Sequence, residues 1–296
     1  MENDYLIKEK PLKALLLFSL PIILGNLFQQ TYTMADSAIV GRFVGEQALA
    51  AVGASYSLTN IFICVAFGGG IGASVIVSRY FGAGQYRAMK RAVYTAFLSF
   101  LGISILLGAA GLIASQEIMV LLNTPADVLD MAVEYLNIYF LGLPFLFMYN
   151  VLSSMFNALG KSRIPLYFLI FSSLFNIVLD VISVTWLHMG VAGVAWATLI
   201  AQGISAVLSF AVFMRLLRKL NRESSGLFDR TEFVSMTKIA LPSILQQSTV
   251  SIGMMLVQSV VNSFGSQALA GFSAGMRIES ICVVPMSGIG SASSSY

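Results

Sequence analysis

Charge is what this sequence has least of. Only 10% of its residues are Asp, Glu, Lys or Arg, against roughly 25% in a soluble domain that must solvate its own surface. Water is therefore not its main solvent. Histidine occurs once, at His188, and cysteine twice, at Cys64 and Cys282, so neither a His/Cys metal cluster nor a disulfide framework can be built. The same scarcity leaves a membrane-embedded enzyme without a nucleophile and base side by side, so an enzyme is not expected. The glycine-rich stretch Gly68-Gly69-Gly70-Ile71-Gly72 has no strand before it, as a phosphate loop would need, and it lies in an apolar run. There, glycines serve close helix packing.

Apolar residues are what the chain has in excess, at 57% of the total, with a mean hydropathy of +0.83. Windows such as residues 92–116 and 187–214 contain no Asp, Glu, Lys or Arg, and about 20 such residues cross the hydrocarbon core of a bilayer as a helix. Backbone polar groups in lipid must be satisfied within the element, so long continuous runs are helices rather than barrel strands. The pattern predicts an all-α polytopic membrane protein with spans near residues 12–40, 48–78, 92–114, 131–157, 164–187, 190–217, 234–263 and 270–292. Lys8, Lys10 and Lys13 precede the first run as in a secretory leader, but the run continues to about Ala35, too long for a cleaved core. It reads as an uncleaved first helix.

The basic residues sort by side. Lys8, Lys10 and Lys13 precede the first span; Arg79, Arg87, Lys90 and Arg91 follow the second. Lys161 and Arg163 follow the fourth, and Arg215, Arg218, Lys219, Arg222, Arg230 and Lys238 follow the sixth. Only Arg42 and Arg277 fall on the other side, where the connection around Glu117, Asp127, Asp130 and Glu134 is acidic. The positive-inside rule then puts the N-terminus in the cytoplasm, and a bacterial inner membrane is the expected location. These basic connections are explained by topology and require no nucleic acid.

An internal repeat sets the organisation. Gly45-Glu46-Gln47-Ala48-Leu49-Ala50 returns as Gly265-Ser266-Gln267-Ala268-Leu269-Ala270, Leu20-Pro21 returns as Leu241-Pro242, and Gly68 has its counterpart in Gly288. The period of about 220 residues holds an even number of spans, so the copies run parallel, about an axis along the membrane normal. Residues 1–220 form the first six-helix lobe, 221–233 a cytoplasmic linker rich in charge and Ser224-Ser225-Gly226, and 234–296 the start of a second lobe. The second copy stops after two helices, so a chain truncated at its C-terminus is expected.

Nearly all acidic residues lie in connections; Asp36 and Asp180 do not. An ionisable group at membrane depth is costly and marks a functional site by default. Each has polar company at helical spacing. Gln29, Tyr32 and Asp36 share a face, as do Asn176 and Asp180, while Thr198, Gln202 and Ser205 form one stripe and Asn150, Ser153, Ser154 and Asn157 another. Singly, such stripes are interhelical hydrogen-bonding glue; four of them beside two carboxylates suggest a shared water-accessible pocket. Oxygen ligands of this kind suit a proton or a hard cation such as Na+. Two carboxylates in low dielectric repel, so proton and cationic cargo would compete for one negative site, the minimum physics of an antiporter. Pro21 removes a hydrogen bond inside the first span and marks a kink or hinge.

Leu20-Pro21, Asp36-Ser37 with Val40-Gly41, Gly45 to Ala50, Asn157-Ala158 with Gly160 and Pro165, and Asn176 to Asp180 together resemble the multidrug and toxic compound extrusion (MATE) transporters. Their order and spacing, with the repeat, extend the resemblance over essentially the whole chain. It implies two six-helix lobes around a cleft that opens alternately to either side, and a monomer when full length. In a branch similar to a DNA-damage-inducible subgroup, it implies a cation site in the first lobe formed by Asp36, Asn176, Asp180 and Thr198. Tyr32, Asn150 or equally Ser153, and the bend point Pro21 would be its neighbours. A sodium-coupled branch carries an acid in the seventh helix, whereas residues 241–263 here carry none and show Gln246 and Gln247.

The function expected is export of small cationic amphiphiles in exchange for H+ or Na+, without a cofactor, through aromatic and Met-rich walls of loose selectivity. A lipid-linked oligosaccharide flippase is the alternative, but it would need cationic residues in its cavity, and no Lys or Arg lies deep in the first six spans. A transport-inactive fragment is the other.

Overall fold

A computed structural model describes residues 11–122, 124–220, 226–262, 279, 282–290 and 293. Among them there is no strand. Helix α1 runs Pro11–Ile39 and passes into a π-helical turn, Val40–Val44; α2 is Glu46–Gly82, α3 Tyr86–Leu121 and α4 Ala126–Ala158. Helix α5, Arg163–Val181, also ends in a π-helical turn, Ile182–Trp186, and is followed by α6, Gly190–Leu220, and α7, Arg230–Asn262. Residues 282–290 are again helical.

Among the described residues, six stretches are long and apolar enough to cross a membrane: Lys13–Val44, Leu58–Gly82, Tyr86–Leu121, Ala126–Ala158, Arg163–Trp186 and Gly190–Leu220. They match the first six expected spans, and the protein is a multi-pass membrane protein. The helices overrun the hydropathy boundaries because helix continues past the lipid into water. α3 starts at Tyr86 rather than near residue 92, taking in Arg87, Lys90 and Arg91. The seventh expected span is the helix α7, 33 residues long, but its glutamines and serines make it less apolar than the other six. The eighth is described only over part of its length, and the repeat residues Gly265 to Ala270, with Arg277, Lys8 and Lys10, lie outside the described residues.

α4 is the central element, packed against α2, α3 and α6. Phe147, Val151, Leu152 and Met155 of α4 meet Val77 of α2, Val93 and Phe97 of α3 and Phe213 of α6 in one apolar core. The glycine-rich segment of α2 packs closely, as expected, and against three helices. A Cβ on Gly68 would stand 2.8 Å from the Ile244 backbone of α7, one on Gly70 would stand 2.5 Å from Ser154 Oγ of α4, one on Gly72 would stand 2.7 Å from the Met236 carbonyl of α7, and Gly69 faces the Phe100 ring of α3. Gly45 joins the first π-helical turn to α2 at φ 118°, a left-handed value that glycine adopts freely.

Candidate functional site

Two apolar helices each bring one carboxyl group into the bundle. α1 carries Asp36 with Tyr32 one turn earlier, and α5 carries Asp180 with Asn176 one turn earlier. The i, i+4 spacing puts both polar groups of each helix on one face. α6, packed on α5, adds Thr198. Asp180 is fully buried and Asn176 is 2% exposed, while Tyr32, Asp36 and Thr198 are partly buried.

The carboxyl groups of Asp36 and Asp180 meet side chain to side chain. A carboxylate only accepts hydrogen bonds, so that bond exists when one of the two carries a proton. Asp36 Oδ1 and Asp180 Oδ1 are both buried, and neither accepts a hydrogen bond from a described protein group. The Asn176 amide joins the three helices. With its nitrogen donating to the Tyr32 hydroxyl at 3.0 Å and to Asp180 Oδ2 at 3.0 Å, its oxygen accepts from the Thr198 backbone N–H at 3.0 Å and from Thr198 Oγ1 at 3.3 Å. Tyr32 is also hydrogen-bonded to the Thr198 side chain. The donor set therefore consists of two carboxyls, an amide and two hydroxyls, with free acceptor capacity on both acids. It suits a proton or a monovalent hard cation.

A π-helical turn follows each acid along its helix. Val40 of the first and Val184 of the second pack with Ala48, Val191 and Val194 into one apolar cluster, and Val44 and Tyr135 pack against it. Each turn begins within one helical turn of an acid. π-helical turns arise where an extra residue is accommodated, frequently at functional sites.

Of the remaining residues, Pro21 lies inside α1 and is buried, roughly four turns before Asp36. Three residues ahead of it, the Phe18 carbonyl accepts a hydrogen bond from Ser162 Oγ at 3.2 Å. Asn150 and Ser153, on α4, take no part in the hydrogen bonds of the cluster. The Asn150 amide donates to the Leu146 carbonyl of its own helix at 2.8 Å, and among the described residues no hydrogen bond links either residue to Asp36, Asn176, Asp180 or Thr198. Their stripe on α4 faces the glycines of α2, where Ser154 Oγ sits over Gly70. Ser205, in the α6 stripe, is buried with no hydrogen-bond partner among the described residues.

Sequence reasoning missed Tyr135 of α4, which stands within electrostatic reach of both acids. A tyrosine in an apolar span looks like any other span residue, and only the fold shows that it faces the pair.

Comparison with known proteins agrees with this architecture. The family model MatE matches residues 21–182 and again residues 242–296. The two matches begin on Pro21 and Pro242, the prolines that the internal repeat pairs. The chain is 34% identical over 282 residues to the probable multidrug resistance protein YpnP of Bacillus subtilis (strain 168), covering 95% of this chain and 63% of that protein. It is 24% identical to a FAD transporter of Shewanella oneidensis, covering 95% of this chain and 63% of the relative. Among solved structures, a crystal structure of MATE in complex with MaD3S superposes with a TM-score of 0.90 at 25% identity, covering 100% of this chain and 67% of the other. A MOP superfamily transporter from Pyrococcus furiosus, described as having a binding pocket of reverse polarity, gives 0.89 at 25% identity, with 100% and 66% covered. The chain thus spans about two-thirds of the length of the proteins it matches. With most of its length matched by one family model, the chain belongs to the MatE family, the multidrug and toxic compound extrusion transporters.

Proposed function

We propose that this chain forms the first lobe, and the beginning of the second, of an antiporter that exports small organic cations across a bacterial inner membrane in exchange for H+ or Na+. The observation that carries the reading is the contact between Asp36 and Asp180, drawn from two helices into a buried site also lined by Asn176, Thr198 and Tyr32. With both acids ionised, the site attracts one cation, and a proton, a sodium ion or the cationic group of a cargo molecule meets the same oxygens. Binding of one displaces another. Pro21 supplies the bend through which α1 moves Asp36 relative to Asp180. The sorting of basic residues supports a cytoplasmic N-terminus. Relatives named as multidrug export or resistance proteins support the cargo class.

An anionic cargo is the second reading, since one relative is a FAD transporter and flippases of the superfamily carry pyrophosphate-linked lipids. The polarity of the site argues against it: its charged residues are two acids, with no Lys or Arg among them. Efflux of a fluorescent organic cation from proteoliposomes under imposed pH or Na+ gradients tests the proposal. Asp36→Asn and Asp180→Asn should each abolish gradient-driven efflux, and normal efflux in both variants would overturn the reading.

A further inference from the structure

The lipid-facing side of the first lobe carries a groove that the carboxyl site does not use. α3 and α6 both pack on α4 and meet each other across it through aromatic rings, with Phe97 centred 5.5 Å from Phe210 and 5.7 Å from Phe213. Under those rings α4 is sealed, and Leu152 and Met155 are fully buried. Toward the acidic end the same face of α4 opens. Leu141 is in line with Leu152 and Met155 by helical spacing, yet it is 49% exposed, although α4 is the central helix of the lobe.

The opening points away from the second lobe. Ser154 of α4 faces Gly70 of α2, and Leu141 lies roughly 140° round the helix from it. The groove is thus on the far side of α4 from α2 and from α7, which packs on α2. Its walls are apolar. Leu101 and Ile105 of α3 lie one and two turns beyond Phe97, Val207 and Ile200 of α6 lie one and about three turns beyond Phe210, and all four are exposed.

Past Leu141 the same face of α4 continues to Asn137, Glu134 and Asp130. From Met148 to Asn137 is roughly 16 Å of helix, about half the hydrocarbon thickness and so about one leaflet. At the mouth the charge is of one sign. Glu117, Asp127, Asp130 and Glu134 are exposed, none of them forms an ion pair among the described residues, and no Lys or Arg occurs from residue 92 to residue 160. Asn137 adds an acceptor, since its Oδ1 is buried and no described group donates to it.

These features select an occupant. An apolar channel one leaflet long takes one acyl chain, and the carboxylates at its mouth repel an anionic headgroup and attract a cationic one. A buried amide oxygen without a donor is costly. A primary ammonium supplies N–H donors to it, whereas a quaternary ammonium has none.

We propose that the groove between α3 and α6 binds a phospholipid with a primary ammonium headgroup, of the ethanolamine type, from the leaflet on the acidic side. Asn137, Glu134 and Asp130 hold the ammonium, and one acyl chain lies along Leu141. The lipid then joins α3 to α6 beyond the reach of the Phe97 ring contacts. Nothing in this depends on what the carboxyl pair carries.

Trp196 of α6 is 38% exposed one turn beyond Ile200, and in Trp186→Phe protein it is the remaining tryptophan. Its fluorescence therefore reports on the groove. The detergent-purified protein is titrated with phospholipids brominated on the acyl chains and carrying ethanolamine, choline or glycerol headgroups. The ethanolamine lipid should half-quench Trp196 at about tenfold lower concentration than either of the others, the size of one charge-assisted hydrogen bond. Asn137→Leu combined with Glu134→Gln should bring it to the level of the other two. The comparison of headgroups in the Trp186→Phe protein stands even if that double variant fails to fold. Equal quenching by all three lipids would overturn the proposal, as would a choline lipid that matches the ethanolamine one. Displacement of the ethanolamine lipid by equimolar tetraphenylphosphonium would overturn it too, and would make the groove a site for cargo.

Discussion

Ser162, at the turn into α5, donates its hydroxyl to the Phe18 carbonyl at 3.2 Å, just ahead of the proline inside α1. Before and around Pro21, the buried positions Ala14, Phe18, Pro21 and Gly25 form one stripe, with Gly25 lying 3.6 Å from Leu169 of α5 for an added Cβ. From residue 26 to residue 38 no position is buried. The half around Pro21 is the more buried of the two, and the half that carries Tyr32 and Asp36 the less.

Ser162→Ala removes the side-chain donor that ties this carbonyl to the turn before α5. It should lower stability by about 1 kcal/mol, read as a fall in the thermal midpoint of the purified protein, and Ser162→Thr should restore most of it. A midpoint unchanged in Ser162→Ala would show that the hydroxyl does not anchor α1.

The Asn176 amide depends on Thr198 for both bonds to its oxygen. Thr198→Val removes the hydroxyl while keeping the shape, and should weaken cation binding about tenfold, equivalent to about 1.4 kcal/mol. Thr198→Ser should bind nearly as the parent does. Titration of an organic cation against the purified protein checks both.

Two glycines of α2 should respond in opposite directions to the same substitution. Gly72→Ala puts a methyl group 2.7 Å from the Met236 carbonyl and 2.8 Å from Ala240 Cβ, so α7 must shift, at about 1–3 kcal/mol. Gly53 has nothing within 4 Å of its Cβ position, so Gly53→Ala there should gain up to about 1 kcal/mol of helix propensity. Thermal midpoints of the two variants, measured side by side, give the comparison.

Acid should loosen the start of α7. The Thr231 backbone N–H holds the Asp229 carboxyl below its usual range, and the Glu232 N–H and the Arg91 guanidinium act in the same direction. A group lowered in this way stabilises the fold above its unfolded value of about 3.9 and loses that contribution as pH falls through the folded value. Hydrogen exchange at Thr231 and Glu232 should therefore speed up in strong acid beyond its intrinsic pH trend, and Asp229→Asn should abolish that dependence.

Much of this was legible in the sequence because lipid penalises the wrong residues so heavily. Asp36 and Asp180 stand out in apolar runs, and Asn176 and Tyr32 follow from helical spacing. Asn150 and Ser153 show the limit. Their spacing is equally regular, but the rotation of α4 about its own axis is set by packing against α2, α3 and α6, and that packing points the stripe at Gly70. Tyr135 is hidden for the same reason. The π-helical turns after Asp36 and Asp180 leave no trace in composition, because an i to i+5 bond depends on what the turn packs against. Helix ends such as Tyr86 are misplaced because hydropathy reports where lipid stops rather than where the helix does.

The account stands or falls on Asp36 and Asp180 serving proton and cargo in turn. The direct measurement is proton release on binding of tetraphenylphosphonium to detergent-purified protein in weak buffer, with and without Na+. Binding should release protons, Na+ should diminish the release, and Asp36→Asn and Asp180→Asn should each suppress it. Tetraphenylphosphonium binding with undiminished proton release in both variants would contradict the account.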